Sequence, residues 1–111
     1  MTNAHTDLVN RCLVRMSGRG ILCWSNKTGA GFTIAGNFIR FGKKGSGDII
    51  GCSPLGGRFI GVECKTGNAT QEKKQGTFQR AVEMRGGIYV LARCPEDTDA
   101  VPGWDEARAA A

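Results

Sequence analysis

Three charged residues stand where an otherwise apolar pattern would bury them. Asp48 opens the run Asp48-Ile49-Ile50-Gly51-Cys52. After a turn at Ser53-Pro54-Leu55-Gly56-Gly57, the run Arg58 to Lys65 ends on Glu63-Cys64-Lys65. Alternation along a strand puts Phe59, Gly61, Glu63 and Lys65 on one face and Ile60, Val62 and Cys64 on the other. Gly61 leaves that first face open beside Glu63. A buried carboxylate is costly unless it is paired or holds a metal, and two carboxylates brought together repel until a cation joins them. Carboxylate oxygens suit Mg²⁺ or Mn²⁺, which also take phosphate oxygens and can acidify water. A lysine on the same side can orient water or stabilise charge developing on a phosphate. The same residues allow a plainer arrangement, in which Glu63 and Lys65 form an ion pair on a solvated edge and Asp48 is a turn residue.

A third group follows downstream. Gln71, Gln75, Phe78 and Val82 fall on one helical stripe that begins with amides and ends apolar. Gln75 would stand near the strand carrying Glu63 and Lys65, able to meet a phosphate or a water, or would simply be solvated in the first turn.

The elements that must position these groups are short. Thr6 to about Arg19 predicts a helix with Thr6 as N-cap and an apolar stripe of Leu8, Val9, Cys12, Leu13 and Met16. Ile21–Asn26 predicts a strand. Phe32–Ile34 and Asn37–Phe41 predict a hairpin, and Gly42–Gly47 a basic glycine loop. Asp48–Cys52 and Arg58–Lys65 predict a second hairpin. A helix capped by Thr70 runs to about Arg85, and Ile88–Arg93 returns as a strand in βαβ fashion, parallel to a central one. Beyond Cys94 the chain turns acidic and then Ala-rich, with one or two loose helical turns from Trp104. Trp24 and Phe32 are expected in the core.

The totals bound the reading. A chain of 111 residues is one domain with a modest core, which a second subunit would help to complete. Fifteen Lys and Arg against ten Asp and Glu point weakly to a polyanionic partner. Five scattered Cys and one His, with no CxxC, argue against a structural zinc site and a disulfide framework. With no signal-peptide pattern and no apolar run near membrane-spanning length, the expected setting is the cytosol, or the host cytoplasm for a phage-encoded chain, and no membrane partner is expected.

The segments Gly47-Asp48-Ile49-Ile50-Gly51, Gly61-Val62-Glu63-Cys64-Lys65, Gln75-Gly76-Thr77-Phe78 and Gly86-Gly87-Ile88-Tyr89-Val90, in that order, resemble the VRR-NUC family of the PD-(D/E)xK nuclease superfamily. Fourteen residues separate Asp48 from Glu63, a spacing normal for that superfamily. The likeness runs from the first helix to about Arg93, and the length resembles the stand-alone phage and bacterial members. It implies an α/β, restriction-endonuclease-like fold: a mixed central sheet flanked by helices, with a nuclease domain over residues 1–94 and a C-terminal tail over 95–111. It implies Asp48, Glu63 and the main-chain carbonyl of Cys64 as ligands of Mg²⁺ or Mn²⁺, Lys65 as the catalytic lysine, and Gln75 as the glutamine beside the site. The family usually carries a Glu in the first helix. His5 stands in its place here, as a ligand directly or through water; Asp7, the one nearby carboxylate, is the other replacement, and the plain alternative is that neither reaches the site and His5 belongs to a frayed terminus. Lys43 and Lys44 are candidates for DNA phosphates or a solvated basic loop, and Lys27, Lys73 and Lys74 are weaker ones. The implied activity is metal-dependent endonucleolytic hydrolysis of branched DNA, such as a four-way (Holliday) junction or a flap, by a two-fold homodimer. The alternative is a non-catalytic nucleic-acid-binding module derived from a nuclease fold.

Overall fold

A computed structural model describes residues 3–110. The chain runs α1 (Ala4–Gly18), β1 (Leu22–Ser25), β2 (Gly29–Phe32), β3 (Phe38–Phe41), β4 (Ile49–Cys52), β5 (Phe59–Cys64), α2 (Lys73–Met84) and β6 (Ile88–Ala92). A 3-10 turn (Pro95–Ala100) and α3 (Trp104–Ala110) complete it. Four strands form a mixed sheet in the order β1-β4-β5-β6, while β2 and β3 pair only with each other. β4 lies antiparallel to both β1 and β5, and β6 runs parallel to β5 after the α2 crossover. The chain is therefore α/β with a mixed central sheet.

Each sheet face answers to its own helix. Leu8, Val9, Cys12 and Met16 of α1 bury against Ile49, Ile60, Val62, Cys64, Val90 and Ala92. This is the predicted apolar stripe of α1 meeting the predicted apolar face of β5. On the opposite face Phe78 of α2 sets its ring edge-on to Phe59 and to Tyr89, with centroids 6.2 Å away in both pairs.

Several boundaries differ from expectation for local reasons. The N-cap of α1 is Asn3, whose Oδ1 accepts the Thr6 N–H at 2.7 Å, so the helix gains most of a turn before Thr6. The N-cap of α2 is Glu72 rather than Thr70, and its N–H donates to Gln75 Oε1 at 2.8 Å. Trp24 is 49% exposed and Phe32 74% exposed, against the expectation that both are core. Leu22 and Trp24 lie on the sheet face that α2 covers over β5 and β6 but not at the β1 edge. Phe32 sits on the β2–β3 hairpin, which stands off the main sheet. The hairpin also fits a radius of gyration of 15.0 Å, above the ~13 Å of a compact domain of about this length.

The residues after Cys94 pack back onto the first helix. Thr98 and Val101 are fully buried, and the Trp104 N–H donates to Arg19 O at 2.9 Å. Arg15 grips the Asp99 carboxylate with two N–H donors, at 2.7 and 2.8 Å. That guanidinium holds the Asp99 carboxyl below the usual aspartate range. A depressed carboxylate stabilises the fold above the unfolded value, about 3.9, and the contribution disappears as pH falls through the folded value. Thermal unfolding should therefore show Asp99→Asn melting below wild type at pH 7. The gap should narrow once pH drops under about 3.9, and a gap unchanged at about pH 2.5 would show that the ion pair is not its source.

Candidate functional site

The β4–β5 ladder pairs Ile49 with Val62 and Ile50 with Gly61. At its end the chain departs from regular pairing. Asp48 N–H donates to Val62 O at 2.8 Å, and the Asp48 carboxylate oxygen Oδ2 accepts the Cys64 N–H at 2.8 Å. A side chain thus takes the place of a main-chain acceptor and fixes Asp48 against the peptide that follows Glu63. Gly47 makes the approach possible: its φ is +91°, and a Cβ there would lie 3.0 Å from Val62 O. Asn26 secures the same loop from β1. Its N–H donates to Asp48 O at 2.8 Å, and its side-chain amide donates to Ser46 Oγ at 2.7 Å and Gly47 O at 3.1 Å.

Glu63 is fully buried. Its Oε1 accepts from the Tyr89 hydroxyl at 2.5 Å, and its Oε2 has no hydrogen-bond partner. Lys65 Nζ stands 3.8 Å from that oxygen, within reach of charge attraction but beyond a hydrogen bond. Burial first, and then the Glu63 carboxylate, push the Tyr89 phenol well above its ordinary value, so the hydroxyl stays protonated as a donor. Gln71 lies beside this phenol and donates to Gln79 Oε1 at 2.8 Å. The open space expected beside Gly61 is filled. A Cβ there would meet Tyr89 Cδ2 at 3.3 Å and Phe78 Cε2 at 3.4 Å, so ring edges occupy what the sequence left for a ligand.

The first helix delivers His5, whose Nε2 is 3.3 Å from Asp48 Oδ2. Asp7 does not join it; its carboxylate lies 3.9 Å from Arg11 NH1 and is largely exposed. His5 and Asp48 line a cleft of about 330 Å³ together with Ser25, Asn26, Lys27 and Thr28. Lys27 therefore shares the cleft with Asp48, whereas Lys43 and Lys44 lie in the exposed loop that precedes Asp48 and line surfaces on the α2 side. Gln75 has its Oε1 committed to the head of α2, which leaves the amide N–H₂ as its other polar end. The Cys64 thiol is buried on the α1 face beside Cys12, and the Cys12 thiol and burial push it up, so only the main chain of Cys64 faces the acids' peptide.

The donor set fits a hard divalent cation. Two carboxylates and a peptide carbonyl are oxygen ligands, and a buried carboxylate oxygen without a donor is a group that such an ion would satisfy. Among the described residues no three His, Cys, Asp or Glu side chains converge as a complete metal-binding group, so carbonyl and water oxygens would have to complete the shell.

Tyr89, Gln71 and Asn26 escaped assignment as site residues. Tyr89 had a readable signal: it is the one tyrosine in the chain, inside an apolar strand, and a buried phenol needs a partner for its hydroxyl. Gln71 was legible only as the amide start of the helical stripe, and Asn26 had no signal, because its partners, Ser46 to Asp48, are remote in sequence.

Two measurements test this geometry without reference to activity. In chelator, Tyr89→Phe should destabilise the fold by about 1–3 kcal/mol in denaturant unfolding, since Glu63 would lose its hydroxyl donor. Added Mn²⁺ should raise the melting temperature of wild type, by a margin equivalent to about 2.7 kcal/mol at a hundredfold excess over Kd, and should leave Glu63→Gln unmoved. An equal rise in both proteins would place the cation elsewhere.

No family model matches the chain, and no curated protein matches it in sequence. The resemblance to VRR-NUC nucleases thus rests on the motif residues alone.

Proposed function

We propose that the chain is a metal-dependent endonuclease that hydrolyses phosphodiester bonds in branched DNA, four-way junctions or flaps, as a nuclease of the VRR-NUC type with a restriction-endonuclease-like fold. The observation that carries this reading is Glu63: a fully buried carboxylate with one oxygen unpartnered, next in sequence to the peptide whose N–H binds Asp48, and with Lys65 3.8 Å away. A structural ion pair alone would be expected to close that 3.8 Å gap into hydrogen bonds.

In this reading Asp48, Glu63 and the Cys64 carbonyl hold Mg²⁺ or Mn²⁺, with His5 at the Asp48 side of the site. Bound there, the cation supplies charge neutralisation at the scissile phosphate and lowers the pKa of water. The chain's own groups do the rest. Tyr89 orients Glu63 by donating to Oε1. Lys65, 13% exposed, presents its ammonium where negative charge would develop and water would be oriented. Gln75 offers its amide N–H₂ to the phosphate from the head of α2. Lys43 and Lys44 make backbone contacts that carry no sequence information, consistent with selection of structure over sequence.

A two-fold homodimer suits paired cuts across a junction. The exposed apolar side chains of the β2–β3 hairpin, Phe32, Ile34, Phe38, Ile39 and Phe41, give such a dimer a surface to bury. No helix among the described residues is long and apolar enough to cross a membrane.

The second reading is a non-catalytic module that binds nucleic acid. The lack of a three-side-chain metal group among the described residues favours it. Labelled junction, flap, single-stranded and duplex DNA incubated with Mg²⁺ or Mn²⁺ separates the two. Wild type should cut branched DNA, and Lys65→Ala and Asp48→Asn should each lower the rate about 10²–10³-fold. Binding without cutting would establish the module instead, and equal cutting by all three proteins would remove the site assignment. Sedimentation of Phe32→Ser/Ile34→Ser should show a monomer where wild type is a dimer; two identical profiles would free the hairpin from that role.

A further inference from the structure

The exposed side of α2 carries a trough outside the cleavage site, which Lys43 and Lys44 also border. Two cavities, of about 700 and 640 Å³, meet there and share Lys43, Phe78 and Ala81. One end holds Arg58 and Arg85 with Phe59, the other Lys44, Lys73 and Lys74. The floor is aromatic and small: Phe59 is 42% exposed, and Phe78 stands edge-on to it.

The charges along this trough are unanswered. No carboxylate lines either cavity, and none of the six basic residues forms an ion pair among the described residues. Arg58 and Arg85 donate only to main-chain carbonyls, of Gly86 and Ala81. Lys44 stands close enough to Lys74 that its charge holds the Lys74 amine below the ordinary lysine value. Like charges gathered without a counter-charge repel, and an anion relieves them. The packing keeps them together: a Cβ at Gly45 would meet the Lys74 main chain at 3.0 Å, so the basic loop lies directly on the first turn of α2.

We propose that this trough binds an unpaired DNA strand, its phosphates on the rim of lysines and arginines and its bases against Phe59 and Phe78. A duplex answers the rim but keeps its bases stacked inside, so the aromatic floor would gain nothing from it. A single strand answers both, as sequence-blind sites do by combining a basic groove with stacking rings. An acidic peptide offers charge but no nucleobases for Phe59 and Phe78. The loop over residues 42–47 that forms one wall leads directly into Asp48, so a strand held here belongs to the substrate of the cleavage site. The inference thus deepens the nuclease reading, and depends on it for that last step: it points to branched DNA with an unpaired arm, a flap, over a fully paired junction.

Fluorescence anisotropy in chelator tests the trough without any cutting. A labelled strand of about 12 nucleotides, within the range one such groove accommodates, a blunt duplex of the same sequence and a polyglutamate competitor are titrated with wild type, Arg58→Ser/Arg85→Ser and Phe78→Leu. Wild type should bind the strand more tightly than the duplex, and polyglutamate should displace it only weakly. The double variant should lower the slope of log affinity against log salt by about 1.4, because each phosphate left without its cation accounts for about 0.7. Phe78→Leu should weaken strand binding about tenfold while a circular dichroism melt shows the fold intact. An unaltered salt slope in the double variant, equal affinity for strand and duplex, or ready displacement by polyglutamate would overturn the proposal. Cutting of blunt junctions by a protein that fails these binding tests would remove the trough and leave the nuclease standing. Strand binding as expected, from a protein that cuts nothing, would keep the trough and remove the nuclease.

Discussion

A carboxylate placed wholly inside the protein governs much of this structure. Glu63 lies in the central sheet with no exposed surface, one oxygen bonded to Tyr89 and the other 3.8 Å from a lysine. Burying a charge with incomplete pairing costs several kcal/mol in ordinary proteins. The surroundings are arranged to hold it: Tyr89 comes from the parallel strand beside it, and Phe78 seals the Gly61 side. The order around Glu63 thus comes from neighbouring elements, while one of its oxygens is left without a hydrogen-bond donor.

The second acid depends on where a regular ladder stops. Asp48 sits one residue before β4, where its side chain captures the Cys64 N–H and its main chain is held by Asn26. The buried hydroxyl of Ser46 and the left-handed backbone of Gly47 shape the entry. His5 arrives from α1, the helix whose apolar stripe anchors it to the other side of the same sheet. The site thus collects from several elements: His5 from α1, Asp48 from the start of β4, Glu63 from β5 and Tyr89 from β6.

The two faces of the sheet do different work. The α1 face is apolar and closed, and the C-terminal turns extend it through Thr98 and Val101. The α2 face is shorter than the sheet, so it leaves Leu22 and Trp24 exposed at the β1 edge. It also brings aromatic rings and unpaired basic side chains together along one trough. The β2–β3 hairpin belongs to neither face and carries its apolar residues outward. The buried carboxylate and the exposed basic trough are therefore spatially divided, with the basic loop over residues 42–47 joining them.

The local pattern determined most elements and the acids, although the first hairpin strand lies at Gly29–Phe32 rather than Phe32–Ile34. Period-two alternation in residues 58–65 separated the core face from the charged face, and the stripe of Leu8, Val9, Cys12 and Met16 specified how α1 would pack. Those signals lie within single elements, where neighbours in sequence are neighbours in space. Tertiary structure alone decided which groups meet. Tyr89 reaches Glu63 because β6 lies parallel to β5, and Asn26 reaches Asp48 because β1 pairs with β4. His5 rather than Asp7 reaches Asp48 because Asn3 starts α1 earlier and fixes which side of its first turn faces the sheet. Residues 95–110, acidic and Ala-rich in sequence, pack onto the core through Thr98 and Val101, with Arg15 and Arg19 meeting Asp99 and Glu106 at the rim. Pairings between residues tens of positions apart are set by the register and packing of whole elements, and no window along the chain contains both partners.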